Sequence, residues 1–185
     1  MGCPLAGGGA AVIHAPNCFV PVMRPCPGVV TIPDLAFETH PGDFGGRTRR
    51  KYQWIVPVAA RSADRVIAVG AADPIGLSRF LRAHAELAEL VEPDRIVTVI
   101  NKLRASAIGL NAASQVRQTL ARFGGIEAPV MVPWDPAAFD AALLGGRALV
   151  DAAPRSAARV AIRDLAAHLV TGALAPARSR RRPSR

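Results

Sequence analysis

Three short segments carry the side chains best suited to chemistry. Asn101-Lys102 follows the apolar run Arg95–Ile100, Pro133-Trp134-Asp135 follows Ala128–Val132, and Pro33-Asp34 follows Gly28–Ile32. An asparagine offers a donor and an acceptor together, which matches the mixed edge of a nucleobase. A proline presents a carbonyl with no N–H of its own. A fourth run, Arg65–Gly70, ends at Ala71-Ala72-Asp73. Each residue also has a plainer role. Asp73 and Asp135 each precede a proline and read first as helix N-caps. Asn101 alone reads as a turn residue, and Trp134 as a core residue. Their joint placement, each just after an apolar run, is what favours a binding site.

Other chemistries find no support. No Ser-His-Asp set or pair of acids is spaced for catalysis. The three cysteines, Cys3, Cys18 and Cys26, form no C-x-x-C, and His14 with Cys18 is a single pair, not a metal site. Free thiols suit a reducing, cytoplasmic setting. Residues 1–23 lack acidic and basic side chains. Without a basic n-region, and with Pro4, Pro16 and Pro21 breaking any helix, they read as neither an export signal nor a transmembrane segment.

The elements that must position these residues follow from the hydrophobic pattern. Residues 1–27, with Gly7-Gly8-Gly9 and scattered prolines, show no helical or strand period and read as a poorly ordered segment. Strands are expected at 28–32, 65–70, 95–100 and 128–132, and helices at 49–61, 73–92, 109–123, 135–144 and 155–170. In the 73–92 helix Leu77, Phe80, Leu81, His84, Leu87 and Val91 share one face; Arg79, Arg82, Glu86 and Glu89 share the other. In the 109–123 helix Val116, Leu120 and Phe123 are expected to face inward, with Gly124-Gly125 as its stop. Apolar strands alternating with helices predict an α/β domain over 28–172, a parallel sheet with helices on both faces. Ligands of such sheets bind beyond the carboxyl ends of the strands, where the candidate residues lie.

Net charge is +9, from 23 Lys and Arg against 14 Asp and Glu. Five arginines fall in Arg178–Arg185, so over half of the excess belongs to a tail, 173–185, read as disordered. That tail also supplies a weak, non-specific contact for nucleic acid or anionic lipid. Only Lys51 and Lys102 are lysines, and aromatics are 5% of the chain. The core is therefore expected to be Ala, Val, Leu and Ile.

Taken in order, several segments resemble the MinD/ParA family of P-loop ATPases, including its pilus-assembly CpaE and TadZ members and MinD-like proteins of high-GC bacteria. They are Ala63–Arg79, Val99–Arg104, Val132–Asp135, Ala141–Leu149 and Ala153–Ala157. The resemblance covers about 29–172 and implies a P-loop NTPase fold. It also implies that Asn101, with Lys102 beside it, contacts adenine and that Pro133, Trp134 and Asp135 line the base pocket. Asp34-Leu-Ala-Phe37 resembles the family's second switch, near the γ-phosphate and magnesium, although Ala36 replaces the usual glycine.

One departure outweighs these matches. The family opens on a glycine-rich loop ending in Gly-Lys-Thr or Gly-Lys-Ser, which cradles the phosphates and Mg²⁺. Gly7-Gly-Gly-Ala10 has no lysine and no following hydroxyl, and neither lysine of the chain follows a glycine loop. The expectation is the C-terminal part of such a domain: a base-pocket half that binds ATP or ADP weakly and is inactive alone. Mg²⁺ would be held only with a phosphate loop supplied by a partner. The partners implied are further copies of the chain or a complete MinD/ParA-like paralogue, engaged through an unpaired sheet edge. The family's roles span division-site placement, partition, and flagellar or pilus positioning. The alternative is a non-enzymatic scaffold whose basic tail contacts nucleic acid or an acidic partner.

Overall fold

Two proline-led helices show how local sequence sets this architecture. Asp73 is extended (φ −113°, ψ 161°) and accepts the Gly76 N–H at 2.8 Å, so the chain enters a helix at Pro74. Asp135 does the same for Ala138 ahead of Pro136. Proline fits here because the first helical turn needs no N–H from it.

The computed structural model describes residues 13–16, 28–32, 41–43, 45–63, 65–108 and 111–174. The chain divides into two compact units: residues 1–66 with 90–92, and residues 67–89 with 93–185.

In the first unit, β1 (Ile13–Ala15) pairs in parallel with β2 (Gly28–Val30), Ile13 opposite Gly28 and Ala15 opposite Val30. The strand at 13–15 has no signature in the sequence, where no period was legible. The Ala15 carbonyl extends the pairing by accepting Thr31 N–H at 2.9 Å. A 3₁₀ turn, Pro41–Asp43, precedes α1 (Gly46–Ser62), which starts three residues before the expected position and carries Pro57 within it. Val56 of α1 packs with Tyr52 and Ile32. Asp34 and its neighbours lie outside the described residues.

The second unit is built on a three-stranded sheet in the order β3 (Val66–Ala71), β4 (Ile96–Leu103), β5 (Val130–Pro133). The β4–β5 pair is parallel, with Val99 opposite Val130 and Ile100 opposite Met131. Five helices accompany it: α2 (Pro74–Ala88), α3 (Ala105–Ile108), α4 (Ala112–Gly124), α5 (Pro136–Leu144) and α6 (Leu149–Ala152). A sixth, α7 (Ala157–Leu174), follows them.

Side chains alternate across a strand, and β4 shows the consequence. Ile100 is fully buried among Leu77 and Phe80 of α2 and Val116 and Leu120 of α4. Its neighbour Val99 points to the other face, where Val132 meets Ala158, Ala161 and Leu165 of α7. Helices therefore cover both faces of an α/β sheet, as the apolar strands required. Among the described residues, no helix is long and apolar enough to cross a membrane.

The α2 faces divide as expected. Leu77 and Phe80 are buried, Leu81, His84 and Leu87 half-buried, and Arg79, Arg82 and Glu86 exposed; the helix ends at Ala88, short of the expected 92, with Glu89 exposed and Val91 buried beyond it. Gly70 sits where α2 comes closest, for a Cβ there would lie 2.7 Å from the Phe80 ring.

Phe123 corrects the expectation for α4: it is 67% exposed, not inward. Gly125 adopts a left-handed conformation (φ 64°) and closes the helix, with Gly125 N–H donating to Ala121 O and Ile126 N–H to Leu120 O. That reversal folds Ile126 back against the core cluster, into the place Phe123 was expected to fill. Phe123 is left outside with the Arg122 guanidinium 5.2 Å from its ring centroid.

Candidate functional site

The carboxyl ends of β3, β4 and β5 are fastened side by side by backbone hydrogen bonds. Ala72 N–H donates to Asn101 O at 3.0 Å, and Trp134 N–H donates to Leu103 O at 2.9 Å. Asn101, Lys102, Pro133, Trp134 and Asp135 thereby share one edge of the sheet with Asp73.

The end of β4 is irregular. Ile100 pairs with Met131, but Leu103 pairs with Pro133, so three steps along β4 match two along β5. The extra residue makes a β-bulge, a device that re-aims a side chain. Lys102 takes the distortion in a left-handed conformation (φ 60°), the one non-glycine residue with positive φ among those described. Such a conformation costs a lysine about 1–2 kcal/mol. Asn101 supports it: its side-chain carbonyl Oδ1 accepts the Lys102 N–H at 2.8 Å. The Asn101 amide therefore has a structural task here, braced against the backbone of the next residue.

Beside the bulge lies a cleft of about 230 Å³, lined by Ala71, Ala72, Asp73, Lys102, Arg104 and Trp134. Trp134 is 42% exposed, not the core residue its type suggests. The Lys102 Nζ lies 5.5 Å from the Trp134 ring centroid, and the Arg104 guanidinium carbon 5.6 Å. Both separations are within cation–π reach. Two cations thus gather on one half-exposed indole, with the Asp73 carboxylate as the acid lining the cleft.

Of the residues singled out in the sequence, Lys102 and Trp134 line this cleft, and so do Ala71, Ala72 and Asp73 from the end of β3. Asn101 and Pro133 are half-buried at the same edge without lining it. Asp135 is committed elsewhere. Its Oδ1 accepts Ala138 N–H, while its Oδ2 accepts the Ser156 hydroxyl at 2.6 Å. Ser156 Oγ in turn accepts Arg159 N–H, so one carboxylate ties the starts of α5 and α7 together. Arg104 was not foreseen. Simple strand alternation does not reveal it, because the strand bulges at Lys102, which is left-handed. Among the described residues no cluster of His, Cys, Asp or Glu could hold a metal ion.

A parallel sheet with helices on both faces and a cleft at its carboxyl edge is widely used for nucleotides. One solved structure of this kind, a ParA family ATPase from Chlorobium tepidum TLS, superposes with a TM-score of 0.50 at 16% identity. The fold is ParA-like. The superposition covers 77% of this chain and 50% of that ATPase, so the chain spans half the length of the protein it matches. No protein-family model matches the sequence. No curated protein matches it either. At this identity the likeness extends to the ParA-like fold alone.

Proposed function

We propose that this chain is a MinD/ParA-like nucleotide-site protein that holds the base end of ATP or ADP weakly and does not hydrolyse it alone. The observation that carries this reading is the cleft lined by Lys102 and Trp134 at the carboxyl edge of a ParA-like sheet, with Asn101 on the same edge beside it. Trp134 supplies a face for stacking a base. Asn101 supplies a base-edge contact through its amide NH₂, because its Oδ1 already serves Lys102. Pro133 and Asp135 hold the β5 end in place rather than touching the ligand, and Asp34 is assigned to the phosphate end on sequence resemblance.

Phosphoryl transfer depends almost wholly on positioning and neutralising the phosphates. None of the 185 residues forms a Gly-Lys-Thr or Gly-Lys-Ser loop. A complete paralogue contributing that loop, with Mg²⁺, would complete the site. A second copy of this chain would join through the sheet but bring no loop. The proposed setting is the cytoplasm, in a positioning role of the kind the family performs.

The test is phosphate release from Mg-ATP by the purified full chain. The expected result is none above buffer. Turnover that co-purifies with the chain and disappears in an Asp34→Ala variant would overturn the proposal.

A further inference from the structure

We propose that the Lys102–Trp134–Arg104 cluster is a stacking site for single-stranded nucleic acid, a polymeric ligand distinct from the mononucleotide proposed above. Three observations combine. The first is the half-exposed indole at the rim of an open cleft. The second is that both nearby cations are themselves exposed and sit on that indole. The third is the bulge, which spends backbone strain at Lys102 to deliver its side chain there. Strain retained in a non-glycine residue points to use of the side chain it presents.

An aromatic face flanked by Lys and Arg is the minimal unit of single-strand recognition. The ring stacks a base, and the cations follow the phosphates. Cleft size is compatible with a strand as well as with a mononucleotide held only by its base. Pockets that enclose small molecules measure roughly 300–1,000 Å³. At about 230 Å³, this one takes a base but leaves the remainder of a nucleotide outside. A strand tolerates that, because its neighbouring nucleotides run past the opening, where Lys102 and Arg104 are exposed. On binding, a base slides onto the Trp134 ring, and Lys102 and Arg104 move from the ring to the flanking phosphates. The Asp73 carboxylate opposes a phosphate, and the two cations outweigh it. A duplex keeps its bases stacked inside and cannot use the indole.

The experiment is fluorescence anisotropy of a labelled oligothymidylate of roughly fifteen nucleotides, within the usual single-strand site sizes, titrated with the full chain. The arginines of 178–185 add a background that is independent of Trp134, so the variants carry the test. Trp134→Ala is expected to weaken binding at least about fivefold, the low end for losing one stacked base, while Trp134→Phe retains most of it. Lys102→Gly is expected to weaken binding and lower the salt dependence by about one phosphate contact. Its melting temperature should be unchanged or raised, which separates lost binding from lost folding. A duplex of the same length should bind without any Trp134 dependence. ATP is titrated separately: oligothymidylate binding without ATP binding sinks only the mononucleotide reading, and ATP binding without oligothymidylate binding sinks only this proposal. The two readings can thus fail separately. Binding unaltered by both Trp134→Ala and Lys102→Gly would overturn the proposal, as would equal Trp134 dependence on duplex.

Discussion

Lys102 holds an unfavourable backbone conformation at the point where its side chain is useful. Glycine takes positive φ without the Cβ clash, although it also gains freedom in the unfolded chain. Lys102→Gly should therefore stabilise the fold by roughly 0.5–1 kcal/mol, read as a higher midpoint in urea with an unchanged slope. A loss of stability would mean that the contact of the Lys102 ammonium with the Trp134 ring outweighs the strain. At this scale the sequence was informative about residue types and much less so about their tasks. Asn101, Lys102 and Trp134 were legible because the apolar runs before them were legible, although β4 continues to Leu103, three residues past the expected end. The bulge was not, because it is a mismatch of register between two strands far apart in the chain, and no local pattern records it. Without the bulge there was no reason to pair Arg104 with Lys102 or to lift Trp134 out of the core.

Asp135 belongs to the scale of elements, because its carboxylate joins two of them. The capping roles of Asp73 and Asp135 were readable from the proline that follows each. The bond from Asp135 to Ser156 was not, since it spans 21 residues. Asp135→Ala should release the N-termini of both α5 and α7 and cost about 2 kcal/mol, one cap and one charged hydrogen bond. Chemical denaturation would measure it, and a cost no larger than that of an exposed surface change would show that Asp135 has other work. Helix α2 adds a pH dependence. His84 is half-buried on its inner face, 5.7 Å from the Phe80 ring centroid, and burial holds its pKa below the usual histidine value. The folded state then binds fewer protons than the unfolded state between the lowered and the ordinary value. Stability is complete above the ordinary value and falls as pH drops through that window. His84→Gln should flatten the melting temperature between about pH 5 and 7; a slope equal to that of the unaltered chain would remove His84 as the cause. Phe123 shows the limit of helical periodicity. Its spacing from Val116 and Leu120 was right for the core, but the Gly125 turn delivered Ile126 there instead.

For the molecule as a whole, the sheet with helices on both faces followed from continuous apolar strands alternating with amphipathic helices, a pattern that survives small errors at element ends. Less legible was the uncovered part of that sheet. Ile67 and Val69 of β3 are 43% and 61% exposed, although their types belong in a core. An apolar face of this kind favours association and fits the proposal that the chain works with a second polypeptide. The central claim is narrower: a nucleotide's base is held at the carboxyl edge of β3–β5, with little grip on its phosphates. Isothermal titration calorimetry of ATP and ADP with the full chain tests it most directly. The account predicts similar affinities for the two, in the high-micromolar to millimolar range, about −4 to −6 kcal/mol, weakened severalfold by Asn101→Ala or Trp134→Ala. Sub-micromolar affinity for ATP, or heats that neither substitution alters, would contradict it.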